Sequence, residues 1–92
     1  MMSFTRLASE KELVEARIGV ARRIRALRKA RQWTQQELAY QSGIHMRHIQ
    51  RLENISRPPA IEIDTIVKLA KTFNISYSEL LAVDLLTSPH AL

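Results

Sequence analysis

The stretch from Trp33 to Asn54, W-T-Q-Q-E-L-A-Y-Q-S-G-I-H-M-R-H-I-Q-R-L-E-N, leaves the chain few conformational choices. Thr34 and Glu37 form an S/T-x-x-E capping box, so a helix is predicted to start at Gln35. Leu38 and Ala39 give it a small apolar face. Gly43 then falls where the chain must reverse, and glycine takes φ > 0 without the clash that a Cβ brings. Ile44 opens a second run, with Ile49 and Leu52 at i, i+3 spacing. Between these apolar positions lie His45, Met46, Arg47, His48, Gln50 and Arg51. The outer face of the second helix is therefore long, polar and basic. Two short helices around a tight turn, the second with such a face, form the unit that enters the DNA major groove.

Further along, the chain repeats this economy of signals. T-Q-Q-E-L-A stands at 34–39, S-G-I at 42–44, I-Q-R-L-E-N at 49–54, I-V-K-L-A at 66–70 and I-S-Y-S-E-L-L at 75–81. With these motifs at these spacings, the segment from about Ile18 to Leu81 resembles the phage-repressor (Xre/Cro-type) helix-turn-helix proteins. The resemblance implies an all-α, five-helix, lambda-repressor-like DNA-binding domain with an N-terminal helical extension. The expected division is 1–17 for the extension, 18–86 for the helix-turn-helix domain and 87–92 for a frayed tail.

The resemblance also implies roles. Met46, Arg47 and Arg51 match the positions that meet base edges. Arginine suits that task, because it can bond guanine O6 and N7 together. Met46 has no useful donor but can lie against a thymine methyl. His48 and Gln50 are weaker base-reading candidates on the same helix. Gln35 takes the position that sits over a phosphate at a helix N-terminus, and Gln36, Arg22 and Arg57 join it as phosphate candidates. Arg28 matches an arginine that pairs with the glutamate ending the second helix, here Glu53. Such a pair sets geometry without touching bases, and breaking it costs on the order of 3–5 kcal/mol. His45 occupies a cap position that usually holds Ser, Thr or Asp, so a loosely held helix start is expected.

Charge supports the same picture. The net charge is +5, yet residues 17–57 alone hold ten Lys/Arg against two Glu. By itself a charge run is an ordinary solvated surface. Attached to a helix-turn-helix, it reads as one polyanion-facing side, and Arg22, Arg23, Arg25, Lys29 and Arg31 are expected to face solvent or phosphate. The absence of Cys rules out disulfides, thiol catalysis and zinc-finger ligation, and a reducing cytoplasm fits. His45 and His48 have metal-ligand spacing but no third ligand in the pattern, so no metal and no cofactor are expected. The opening M-M-S-F-T-R-L-A-S-E is too polar for a signal peptide, and no run approaches a membrane span.

The rest of the chain supplies scaffolding. Ser9 and Glu12 form a second capping box, so a first helix is predicted from near Glu10 to about Arg31, with an apolar stripe through Leu13, Ala16, Val20, Ile24 and Leu27. Trp33 is expected to plug the junction after it. Asn54 is a candidate for the left-handed residue that ends the second helix of the motif. A fourth helix is predicted over Ile61–Phe73, with a core stripe of Ile63, Ile66, Val67, Ala70 and Phe73. Ser76 and Glu79 form a third box at the start of a fifth helix. Leu80, Leu81, Val83, Leu85 and Leu86 exceed what one terminal helix needs; they either close the chain's own core or, as the favoured expectation, form a dimer interface through Leu80, Val83, Leu85 and Leu86.

Taken together, these features predict a dimeric regulator that binds a palindromic double-stranded operator, with occupancy competing with or recruiting RNA polymerase. A toxin-binding antitoxin that autoregulates its operon is the alternative. No glycine-rich phosphate loop, nucleophile–base set or clustered carboxylate pair points to an enzyme.

Overall fold

The computed structural model describes residues 7–82. Among them are five helices and no strand: α1 (Glu10–Ala30), α2 (Gln35–Ser42), α3 (Met46–Leu52), α4 (Ile63–Phe73) and α5 (Tyr77–Leu80). The fold class is all-α, as the sequence predicts.

Three of the helices begin at the three capping boxes. The Ser9 hydroxyl accepts the Glu12 N–H at 3.1 Å while the Glu12 carboxylate accepts the Ser9 N–H at 2.8 Å. Thr34 and Glu37 do the same at 3.0 and 2.7 Å, and Ser76 and Glu79 at 3.1 and 2.9 Å. Each box satisfies two of the N–H groups that a helix start leaves unpaired. The serine backbone N–H, then the serine hydroxyl, hold the Glu12 and Glu79 carboxyls below the usual carboxylate range.

The ends are set by left-handed residues. Gly43 closes α2 at φ 73°, with its N–H on the Ala39 carbonyl at 2.9 Å. A Cβ at Gly43 would meet nothing within 4 Å, so the demand there is purely one of backbone conformation. Asn74 closes α4 at φ 58°, and Gln32 turns the chain after α1 at φ 59°. The expectation for Asn54 is corrected. It is not left-handed; its side-chain oxygen instead accepts the Ser56 and Arg57 N–H groups at 3.1 and 3.2 Å. The Arg57 N–H also bonds the Asn54 carbonyl at 3.3 Å, so the chain after α3 makes a tight turn that the asparagine side chain ties.

One core joins the helices. Ile24, Leu38, Ile44, Ile49, Leu52, Ile66, Leu69, Ala70, Phe73 and Leu80 are buried together, with Val20, Leu27, Trp33, Ala39, Ile61 and Ile75 packed at its edge. Trp33 stacks on Phe73 with ring centroids 6.3 Å apart, and so fills the junction after α1.

Two expectations for the C-terminal half change. Ile63 is 63% exposed, because the buried positions of α4 are 65, 66, 69, 70 and 73 and Ile63 stands ahead of that stripe on the helix's first position. Leu80 is fully buried in the chain's own core, so it has no surface to offer a dimer partner. Val83, Leu85 and Leu86, and the tail at 87–92, lie outside the described residues.

Not all of the basic block faces outward. Arg31 spreads over Trp33 and Phe73, with its guanidinium carbon 5.9 and 4.9 Å from the ring centroids. It donates to the carbonyl of Phe73, the last residue of α4. Arg23 donates twice to the Glu79 carbonyl in α5, at 3.2 and 3.0 Å. Arg23 in α1 and Arg31 at its C-cap thus satisfy carbonyls near the ends of later helices, where a positive charge also suits the helix dipole. By contrast, Arg22, Arg25 and Lys29 recur at i, i+3, i+7 on the exposed side of α1.

Candidate nucleic-acid interface

α3 has seven residues, too short to be stable alone, so its neighbours must hold it. At its start, the His45 Nδ1 accepts the Arg47 N–H at 3.1 Å. The imidazole therefore does cap α3, where the sequence predicts a loosely held start. Just before it, the Ser42 hydroxyl accepts the Ile44 N–H at 3.1 Å and braces the turn. Ile49 and Leu52 anchor the inner side of α3 in the core.

At its far end α3 is clamped. The Glu53 carboxylate, 5% exposed, takes the Arg28 Nε at 2.7 Å and an Arg28 terminal nitrogen at 2.9 Å, a two-point planar pair. The other terminal nitrogen of Arg28 donates to the Trp33 carbonyl at 2.7 Å. Gln35 adds a third donor to Glu53 through its Nε2 at 3.2 Å. The bond to Glu53, in the main, raises the Arg28 guanidinium above its already high ordinary value, so the charge is permanent. One carboxylate thus ties the end of α1, the start of α2 and the end of α3. No buried side-chain nitrogen or oxygen among the described residues lacks a partner.

The clamp also engages Gln35. Sequence places its amide over a phosphate; here its N–H donor is turned inward onto Glu53 and the residue is half-buried. Gln36 beside it is exposed. Arg22 is exposed on the outer side of α1, and Arg57 is exposed in the loop tied by Asn54.

With Ile49 and Leu52 inward, Met46, Arg47, Gln50 and Arg51 are all exposed. At about 100° per residue they occupy one outward arc of roughly 140°, opposite the core anchors. His48 lies off this arc, half-buried on its flank. The face offers two guanidinium forks, one amide with both donor and acceptor, and one thioether, with Met46 37% exposed. It has base-edge chemistry and no acidic group. Arg47 and Arg51 are joined by no ion pair and no side-chain hydrogen bond among those the described residues make.

Three functional contributions were invisible to motif reading: the third donor of Gln35, and the inward use of Arg23 and Arg31. For Arg31 a signal exists in the sequence. It continues the stripe of Ile24, Leu27 and Arg28 at helical spacing. Nothing comparable marks Arg23.

A family model described as Helix-turn-helix matches residues 24–80, from the lower half of α1 through α5. The chain belongs to this Xre-like helix-turn-helix family. It is accordingly a DNA-binding domain of the regulator type, in a family that is not enzymatic. No curated protein and no solved structure matches the chain. No helix of the described residues is long and apolar enough to cross a membrane.

Proposed function

We propose that the chain is a sequence-specific binder of double-stranded DNA that regulates transcription as a homodimer on a palindromic operator. The observation that carries this reading is the arc of Met46, Arg47, Gln50 and Arg51, exposed on a helix whose two ends are fixed by His45 and by the Arg28–Glu53 clamp. Arg47 and Arg51 read guanine through O6 and N7, Gln50 reads adenine through N6 and N7, and Met46 contacts a thymine methyl. His48 reaches the groove edge from the flank.

Phosphate contacts set the register. Gln36 at the start of α2, Arg57 in the loop after α3 and Arg22 on α1 supply them, together with the backbone N–H groups at the α2 start. Gln35 acts from behind, holding Glu53 while its own carbonyl stays free to accept. The clamp leaves no slack for α3 to re-orient, so complementarity to one base sequence is built in before binding. A dimer places two such helices in successive major grooves, with half-sites roughly 34 Å apart. Its occupancy then blocks or assists RNA polymerase at the same DNA.

A fluorescence-anisotropy titration at two salt concentrations tests the proposal. One duplex is the DNA upstream of the gene; the other is a scrambled copy. The expected result is a preference for the native duplex of about a hundredfold or more, kept at the higher salt. Equal binding to both that collapses with salt would reduce the function to counterion release by a basic surface.

A further inference from the structure

α1 carries one stripe along its whole length, but among the described residues the body of the domain covers only the lower half. Positions 17, 20, 21, 24, 27 and 28 follow the rhythm of a helix face turned to a core. Ala21, Ile24 and Arg28 are buried there, and Arg17, Val20 and Leu27 are half-buried. Run toward the N-terminus, the same rhythm lands on Glu10, Leu13, Val14 and Arg17. Helical geometry puts these four on an arc of about 100°. Leu13 and Val14 are nevertheless 41% and 37% exposed, and Glu10 is exposed as well. The match to the family covers residues 24–80, so this upper face lies outside the matched residues.

The upper face is self-complementary when turned end for end. Its centre is Leu13 and Val14; an acid lies one turn before, and a base one turn after. About a two-fold axis between Leu13 and Val14, Glu10 of one copy meets Arg17 of the other, and the exchange occurs twice. The apolar pair closes on itself in the middle. A parallel pairing would instead set Glu10 on Glu10 and Arg17 on Arg17. The remaining charges stand off the seam, and Glu12 among them is occupied in its box with Ser9. We propose that the upper face of α1 binds a second copy of this chain in antiparallel orientation. This deepens the homodimer reading above and rests on it, not on base reading by α3.

The dimensions fit the use. At about 1.5 Å per residue, Arg28 lies roughly 22 Å along α1 from the two-fold axis. The two Arg28–Glu53 clamps are then carried roughly 44 Å apart along the α1 axes, the same order as one turn of DNA. Four seam positions per copy bury less than the roughly 1,200–2,000 Å² of a standard interface. Association in free solution is therefore on the order of micromolar rather than tighter, and two copies tethered by one operator strengthen it through high effective concentration. Exposed charge pairs at the ends add orientation more than strength.

Full-length Glu10→Arg and Arg17→Glu variants test the seam. Each variant alone places like charges at both ends of it. Mixed in equal amounts, they place opposite charges at both ends. Sedimentation equilibrium across the micromolar range should show self-association of the wild type, association of each single variant weakened about tenfold or more, and recovery in the mixture. Circular dichroism checks that α1 stays helical. The proposal is overturned if the wild type stays monomeric throughout, if either variant alone associates like the wild type, or if the mixture fails to recover. Operator preference measured on the same proteins is a separate readout: its loss with an intact dimer strikes the base-reading proposal, not this one.

Discussion

Arg28 and Arg47 are the same residue type in the same basic block, and they do opposite work. Arg28, on the inner face of α1, is 9% exposed and spends all of its bonds on Glu53 and the Trp33 carbonyl. Arg47, on the outer face of α3, is exposed and contributes only its backbone N–H to the fold, through His45. One is fixed inside the fold; the other stands exposed at its surface. The contrast extends to Arg23 and Arg31, turned in on helix ends, against Arg51 and Arg57, turned out. The local surplus of positive charge therefore overstates the charge available to DNA, because three of its arginines already serve the chain's own carbonyls and its own carboxylate.

The strongest way to break this comparison is Arg28→Ala. The substitution leaves the Glu53 carboxylate buried without its main partner, which costs on the order of 3–5 kcal/mol of folding stability. Urea unfolding followed by circular dichroism should show the midpoint fall accordingly. A loss below about 1 kcal/mol would place Arg28 with the surface arginines and dissolve the distinction. Arg47→Ala should do the reverse. Folding stability stays within about 0.5 kcal/mol of the wild type. Operator affinity falls by about 1–3 kcal/mol, roughly 5- to 150-fold, and specificity relaxes at one position per half-site. An equal loss on a scrambled duplex would make Arg47 a phosphate contact and nothing more.

How far such a division can be read from sequence depends on which signal carries it. The five helices are legible because their starts and turns are chemical rather than statistical. A serine or threonine with glutamate three residues on leaves the backbone one good option, and Gly43 does the same for the reversal. The inner and outer faces of α3 follow from Ile49 and Leu52 alone. The direction of an arginine is harder to read. Its long apolar stem lets the same residue lie along a core edge or stand in water, so Arg23 and Arg31 looked like surface charge. The Gln35 bond to Glu53 is hidden for a related reason: an amide N–H serves a phosphate or a carboxylate equally well, and only the fold brings Glu53 within reach. Leu80 looks like excess apolar surface in the sequence because the space it fills is made by residues far away along the chain. Leu69 falls outside the singly spaced stripe of α4, where the buried positions run in adjacent pairs.

Gly43→Ala gives a smaller effect that separates conformation from packing. Nothing occupies the space its Cβ would take, so the whole cost lies in holding alanine at φ 73°. That cost is about 1–2 kcal/mol. The prediction is a modest drop in stability, read from the urea midpoint, with the operator preference of the folded protein unchanged. If preference falls while the protein remains folded, the turn does more than reverse the chain: it sets the angle at which α3 is presented.

The smallest effect concerns pH, and it compares the body of the domain with the upper part of α1. The Glu12 and Glu79 carboxyls are both held below their ordinary value of 4.5, chiefly by the serine N–H each accepts. A carboxyl lowered by folding contributes stability above its unfolded value, and that contribution disappears as pH falls through the lowered, folded value. Acidification below about 4.5 should therefore loosen both boxes, but with different readouts. Glu79 sits where Arg23 ties α5 to α1, and the Arg23 charge adds to its lowering. Its protonation should register in global stability. Glu12 stands on exposed helix above the core, where opening is local. Its protonation should register as faster amide exchange in the first turns of α1, with little change in the unfolding midpoint. Glutamine can still accept the serine N–H but does not titrate, so Glu79→Gln should flatten the acid limb of global stability while Glu12→Gln leaves that limb in place. If Glu12→Gln flattens it equally, the upper turns of α1 unfold together with the core. They would then be a cooperative part of the domain rather than an independent face available to a second copy.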